Sequence, residues 1–208
     1  MKDILKKYLL YFLVLVYVSG SIGFALSPEF FGPFTPYTLL LTCLVFLYYQ
    51  PLENKKIIYA FFIIAILGFL IEVLGVKTRL IFGAYNYGNG LGFKIFNVPL
   101  IISLNWAILI SASIITISRF LTNKHLVLGC SAILITGIDF IIEQVAFKLD
   151  FWKFEEGLAG LHNYVGWTIV GYVLPYFFYS DLVKGNKTIA LAILLLQMLF
   201  FTTNYIFL

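Results

Sequence analysis

Long apolar runs separated by short polar segments dominate the chain. A transmembrane helix requires about 20 mainly apolar residues, within a range of roughly 17–25. Open strands cannot satisfy their backbone groups in hydrocarbon, so runs of this length indicate helices. We therefore predict an all-α polytopic membrane bundle of seven spans, in one integral membrane domain over residues 1–208. The predicted spans are Tyr8–Leu26, Phe34–Gln50, Ile57–Gly75, Val98–Ser118, Leu126–Phe147, Asn163–Val183 and Thr188–Phe207.

The composition leads to the same fold class. Residues of the AVILMFWYC set make up 62% of the 208 residues and charged residues only 12%, against about 45–50% apolar and about 25% charged in soluble domains. These values exclude disordered proteins, collagens, disulfide scaffolds and nucleic-acid-binding proteins. Cys43 and Cys130 lie in apolar runs and are predicted to be buried thiols. The first run could instead be a signal peptide, because Lys6 and Lys7 precede its apolar core.

Basic residues between the runs indicate the orientation of the chain. Cytoplasmic loops of membrane proteins are enriched in Lys and Arg. If the N-terminus lies inside, nine basic residues fall inside and five outside. We therefore predict N-in/C-out topology in a bacterial or archaeal cell membrane. The net charge of +4 is assigned to this topology signal and not to nucleic-acid binding.

Four carboxyl groups fall within predicted spans, where an ionisable residue costs at least about 2.5–3.5 kcal/mol at the centre. Asp181 lies near Lys184 and is predicted to form an interfacial pair. Glu72 lies near the outer end of the third span. Asp139 and Glu143 lie near the outer end of the fifth span, and their i, i+4 spacing places both on one helix face.

Other polar residues are predicted at the same outer depth, so we expect a common site there. The alternative is a set of polar contacts between helices, each contributing about 0.6–2 kcal/mol. The additional candidates within spans are Asn105, Trp106, His162, Asn163, Trp167 and Asn204. Arg79, Tyr85 and Tyr87 lie in a long outer loop and are predicted either to cover the site or to belong to an interfacial aromatic belt.

Metal chemistry and acid catalysis are the two reactions that this residue set allows. His125 and His162 are predicted on opposite sides, which excludes a multi-histidine metal site. A Mg²⁺ site formed by Glu72, Asp139 and Glu143 is the other possibility. The D-x-x-x-E spacing of Asp139 and Glu143 resembles the acidic motifs of membrane prenyltransferases.

The scarcity of basic residues favours acid catalysis over metal chemistry. Burial in apolar surroundings disfavours the charged form of a carboxyl group, and such an acid can protonate an alkene. Aromatic faces stabilise the resulting cation by about 2 kcal/mol or more when it is desolvated. We assign Asp139 as the acid, with Glu143 coupled to it, while Glu72 and Asn105 position water. Trp106, Trp167 and the two loop tyrosines would line the site. No cofactor or metal is required.

Several short blocks between Phe69 and Trp167 resemble a known family. The first blocks are Glu72-Val73-Leu74-Gly75-Val76-Lys77-Thr78, Phe82-Gly83-Ala84-Tyr85-Asn86-Tyr87, Val98-Pro99-Leu100 and Asn105-Trp106. The later ones are Asp139, Glu143, Leu149-Asp150-Phe151-Trp152, Asn163-Tyr164 and Gly166-Trp167. With these blocks the chain resembles the membrane family of carotenoid biosynthesis proteins that includes the carotenoid 1,2-hydratases and bisanhydrobacterioruberin hydratase.

The resemblance implies a lipid-phase hydratase. It would add water across the terminal C1=C2 bond of an acyclic carotenoid and produce a tertiary alcohol. The sequence departs from the family pattern at Arg79, where glycine is usual, and in residues 159–162, which lack the usual proline. Two other functions remain open: a Mg²⁺-dependent membrane prenyl or lipid transferase, and a non-catalytic protein that binds or transports carotenoid or lipid.

Overall fold

The computed structural model describes residues 2–51 and 53–208, and it confirms an all-α membrane bundle. Two short 3₁₀ segments span Gly32–Phe34 and Leu174–Phe177. The helices are α1 (Lys2–Leu26), α2 (Pro28–Phe31), α3 (Thr35–Tyr49), α4 (Lys55–Thr78), α5 (Leu100–Ile117), α6 (Lys124–Ala146), α7 (Leu161–Val173), α8 (Tyr179–Leu182) and α9 (Lys187–Phe207). The strands are β1 (Tyr85–Tyr87), β2 (Lys94–Ile95), β3 (Val98–Pro99) and β4 (Trp152–Phe154).

Six helical segments of the described chain are long and apolar enough to cross a membrane, one fewer than predicted. The difference lies in the predicted sixth span, which is a broken helix. It consists of the 13-residue α7, the 3₁₀ segment and the four-residue α8. Pro175 lies at the break, where it has no N–H to donate to the preceding turn. The prediction of one continuous helix over Asn163–Val183 was therefore wrong.

Helix α5 forms the centre of the bundle and contacts α3, α4, α6 and α9. It carries no charged residue, and every residue from Ile108 to Ile115 is buried, including Ser111 and Ser113. A helix without a polar face is typical of the middle of a bundle. Gly68 of α4 allows the close approach of α5, because a Cβ atom there would lie 2.9 Å from the Cβ of Trp106. This contact brings Glu72, one turn further along α4, beside the start of α5.

Two strand pairs cover one end of the bundle, which we call the loop end. Strand β1 pairs antiparallel with β4, with Tyr85 opposite Phe154 and Tyr87 opposite Trp152. Side chains alternate between the two faces of a strand, so these four aromatic residues share one face. Asn86, between the tyrosines, is exposed on the other face. The pairing therefore directs the aromatic rings of two distant loops toward the helices.

The glycine-rich segment Gly88–Gly92 wraps around Asp150. The backbone N–H of Asn89 donates to Asp150 Oδ2 at 2.8 Å, and that of Gly90 donates to the Asp150 carbonyl at 2.8 Å. A Cβ atom at Gly88 would lie 2.1 Å from Asp150 Oδ1, so only glycine fits. These contacts join the two long loops above the site.

Two local predictions have different outcomes. Lys184 Nζ lies 3.9 Å from Asp181 Oδ1, which confirms the predicted interfacial pair. Cys43 is buried as predicted, but Cys130 is exposed on the bundle surface. Cys130 was assigned to the interior from the hydropathy of its run alone, and a run that faces lipid is as apolar as one that faces the core.

Candidate active site

Side chains from α4, α5, α6, α7, β1 and β4 surround a small cavity at the loop end, with room for about one water molecule. We call it the acid cavity. Its polar lining residues are Glu72, Tyr85, Tyr87, Asn105, Asp139, Glu143 and Asn163. Its apolar and aromatic lining residues are Phe82, Ile102, Ile142, Trp152, Phe154 and Trp167.

Asp139 has one carboxyl oxygen in a hydrogen bond and one without a partner. Its side chain is 1% exposed. Oδ2 accepts a hydrogen bond from Asn163 Nδ2 at 2.6 Å, whereas Oδ1 is buried and has no hydrogen-bond partner. Buried polar atoms without a partner are rare, because leaving one unsatisfied costs about 1–3 kcal/mol. Oδ1 is thus the oxygen of this carboxyl group that the surrounding side chains leave free.

Glu143 lies one helical turn from Asp139 and is held by two donors. Trp152 Nε1 donates to Glu143 Oε1 at 3.0 Å, and Asn163 Nδ2 donates to the same oxygen at 3.4 Å. One amide group therefore bridges the two carboxyl groups of α6. Both acids lie on the same face of α6, as the i, i+4 spacing predicted.

Glu72 differs from the other two acids because both of its oxygens are occupied. Tyr85 and Tyr87 donate to Oε2 at 2.5 and 2.8 Å, and Trp106 Nε1 donates to Oε1 at 2.7 Å. The side chain is 3% exposed. With three donors on it, Glu72 holds the aromatic residues around the cavity in place.

The two tyrosines of β1 act as donors to Glu72 because they keep their protons. Burial, followed by the Glu72 carboxyl group, raises the pKa of Tyr85 far above its ordinary value. The same two causes raise the pKa of Tyr87 well above its ordinary value. Both phenols therefore remain neutral over the physiological range.

Aromatic rings line one side of the cavity, where Trp167 and Phe82 border it and Trp106 stacks on Trp167. The rings of Trp106 and Trp167 stack with centroids 3.9 Å apart and planes 16° apart. The Phe82 ring lies 6.1 Å from Trp106 and 6.5 Å from Trp167, measured between centroids. A cation in this cavity would face several aromatic rings, which attract positive charge through their quadrupoles.

No lysine or arginine forms an ion pair with Glu72, Asp139 or Glu143 in residues 2–51 and 53–208. In the same residues no three His, Cys, Asp or Glu side chains are grouped as a metal site. The magnesium alternative required these three carboxyl groups to converge on one ion. Both carboxyl oxygens of Glu72 instead accept hydrogen bonds from side chains, three in all.

An apolar pocket adjoins the acid cavity. It lies among α1, α3, α5 and α9, and its lining is almost entirely apolar. Its lining includes Tyr17, Phe24, Phe31, Leu39 and Phe200. The two spaces share the lining residues Ile102, Asn105, Ile142 and Trp152. A chain in the apolar pocket could therefore present its end to the acids.

Comparison with models of known families identifies the family of this chain. A model of the family described as carotenoid biosynthesis protein matches residues 34–208, most of the chain. The chain belongs to this family. Comparison with curated proteins and with solved structures gave no significant match. Membership confirms the suspected family and supports a role in carotenoid biosynthesis, with a carotenoid or related lipid as substrate.

In this carotenoid biosynthesis protein, most of the predicted site residues lie together. Trp106 is joined to the cavity through Glu72 and Trp167. Arg79 and His162 lie apart from it. Arg79 is exposed and pairs with Glu155 at 2.8 Å, and His162 is exposed on a groove along α7. Asn204 is buried, but it lines neither the acid cavity nor the apolar pocket.

Sequence reasoning missed two polar contributors to the site. Trp152 holds Glu143, but in the sequence it is one of many aromatic residues near a predicted interface. Gln197 is 1% exposed in the middle of α9 and lines the apolar pocket. An amide within the run Leu194–Phe200 is a signal that could have identified it, because polar side chains inside a span need a partner.

Proposed function

We propose that this carotenoid biosynthesis protein hydrates the terminal C1=C2 bond of an acyclic carotenoid. One observation carries the proposal: a buried carboxyl oxygen without a partner, Asp139 Oδ1, borders an aromatic cavity that adjoins an apolar pocket. An apolar chain with a reactive end fits this combination.

The first step is proton transfer from Asp139. The two acids on α6 share the donor Asn163, and within residues 2–51 and 53–208 no lysine or arginine pairs with either of them. In this proposal they are therefore not both charged. Asn163 occupies Asp139 Oδ2 by donating to it, which leaves Oδ1 to carry the acidic proton. The Oδ1–H bond breaks, and the alkene π electrons form a new C–H bond at C2.

The aromatic wall stabilises the cation that forms at C1. This carbon bears two methyl groups and the chain, so the cation is tertiary. Trp167 and Phe82 line the cavity and offer π faces, and Trp106 stacks on Trp167. A desolvated cation gains about 2 kcal/mol or more from contact with such a face. Water then bonds to C1, and the proton that it releases returns to the carboxylate on α6. The net reaction is the addition of one water molecule.

The apolar pocket accommodates the chain behind the reacting end. Its lining is almost entirely apolar, as the binding of a hydrocarbon chain requires. Leu91 lines this pocket and also a surface groove at the loop end. The rest of the substrate would extend past Leu91 into this groove.

Pigment analysis tests the proposal. We expect that expression in a lycopene-producing host converts lycopene into a product heavier by one water molecule at an end. The same conversion should proceed in washed membranes with EDTA and without nicotinamide, because hydration is redox-neutral and needs only a proton and water.

Other outcomes would favour the other functions. Loss of the product with EDTA and recovery with Mg²⁺ would indicate the transferase. Lycopene that copurifies unchanged with the protein, with no product in the membranes, would indicate a binding or transport protein. Either result would contradict the hydratase proposal.

A further inference from the structure

Gln197 places an unsatisfied acceptor in the apolar pocket. Its Nε2 donates to Asn105 Oδ1 at 3.2 Å, and its Oε1 is buried without a hydrogen-bond partner. The side chain is 1% exposed and lines the pocket. Leaving a buried acceptor unsatisfied costs about 1–3 kcal/mol, so an occupant with a hydrogen-bond donor is favoured here.

The position of Gln197 connects this acceptor to the acid cavity. Its partner Asn105 lines both spaces, whereas Gln197 lines only the apolar pocket and Asp139 only the acid cavity. The junction between the two spaces is otherwise formed by Ile102, Ile142 and Trp152. A double bond lying at this junction would lie between the cavity that Asp139 lines and the pocket that Gln197 lines.

We propose that Gln197 holds the water molecule that attacks the cation. The inference rests on the proposed hydration and assigns a positioning residue to its second step. A water molecule that donates a hydrogen bond to Gln197 Oε1 keeps an oxygen lone pair free for C1. That lone pair forms the C1–O bond, and one O–H bond of the water breaks. The released proton restores the acid on α6, so Gln197 neither gains nor loses a proton.

This role separates protonation from water capture. Without the acceptor, the cation still forms at the junction but is captured less often. It then returns to an alkene by losing a proton. In deuterium oxide the acid delivers deuterium, so the recovered alkene becomes labelled.

The test compares Gln197→Met with the wild type in deuterium oxide, using lycopene as the substrate and detergent-solubilised full-length protein. We expect hydrated product to fall about 10-fold or more, as for the loss of a hydrogen bond in the reacting state, while deuterium still enters the recovered lycopene. Asn204→Leu is the matched control, because Asn204 is also a buried amide of α9 with an unpartnered oxygen. It should leave both readouts unchanged.

The outcomes distinguish this inference from the proposed function. If the wild type neither hydrates nor labels lycopene, hydration itself is wrong. If the wild type is active and Gln197→Met hydrates equally well, Gln197 does not hold the water. If Gln197→Met loses hydration and labelling in equal proportion, its role is structural, which also overturns the inference.

Discussion

Replacing Asp139 by Asn should lower the formation of hydrated carotenoid by at least about 100-fold, the low end of general acid catalysis. Asparagine keeps the size of the side chain and can still accept from Asn163, which now donates to Asp139 Oδ2. It has no acidic proton for the alkene. The amount of folded protein in the membrane should change little. The product is quantified by chromatography against the remaining substrate.

Two further variants sharpen this experiment. Glu143→Gln should reduce the product less, because Glu143 is already held by Trp152 and Asn163 and acts through its neighbour. A greater loss of product in Glu143→Gln than in Asp139→Asn would show that Glu143 is the general acid and that Asp139 acts through it. Asp181 is an acid near the other end of the bundle, so the Asp181→Asn variant should retain activity. Full activity in both α6 variants would show that neither acid of this helix takes part in the reaction.

Replacing Glu72 by Leu should cause the largest loss of stability among the acids. It leaves the hydroxyl groups of Tyr85 and Tyr87 and the indole N–H of Trp106 without their acceptor in a buried site. Each unsatisfied donor costs about 1–3 kcal/mol. We expect the free energy of unfolding to fall by about 3 kcal/mol or more, measured by denaturation in detergent.

The variant Glu72→Gln tests whether Glu72 stabilises the protein through its hydrogen bonds or through its charge. Glu72→Gln keeps one acceptor, and its NH₂ group can donate to a tyrosine hydroxyl that rotates to accept. It should therefore be clearly more stable than Glu72→Leu. Glu156→Leu, at an exposed position of the same end, serves as the control and should unfold like the wild type. Equal stability of both Glu72 variants and the wild type would show that Glu72 does not organise the site.

Much of the site was predictable because ionisable residues are rare in spans. The i, i+4 spacing placed Asp139 and Glu143 on one face, and the structure places both on the acid cavity. The direction of each span brought Glu72 and Asn163 to the same end. These inferences needed only helix geometry and the cost of a charge in hydrocarbon.

Other features depend on tertiary contacts that hydropathy does not encode. The pairing of β1 with β4 turns Tyr85, Tyr87 and Trp152 inward, yet neither loop shows a long strand pattern. The ion pair with Glu155 holds Arg79 outside the site, although Arg79 was expected near it. Pro175 interrupts a run whose hydropathy alone suggests a continuous span.

Incubating purified protein with lycopene in water labelled with heavy oxygen tests hydration most directly. The account predicts that the product carries one heavy oxygen atom at C1 for each hydrated end, and that Asp139→Asn forms almost none. A hydroxylated product whose oxygen does not come from water, or a wild-type protein that binds lycopene and leaves it unchanged, would contradict the account.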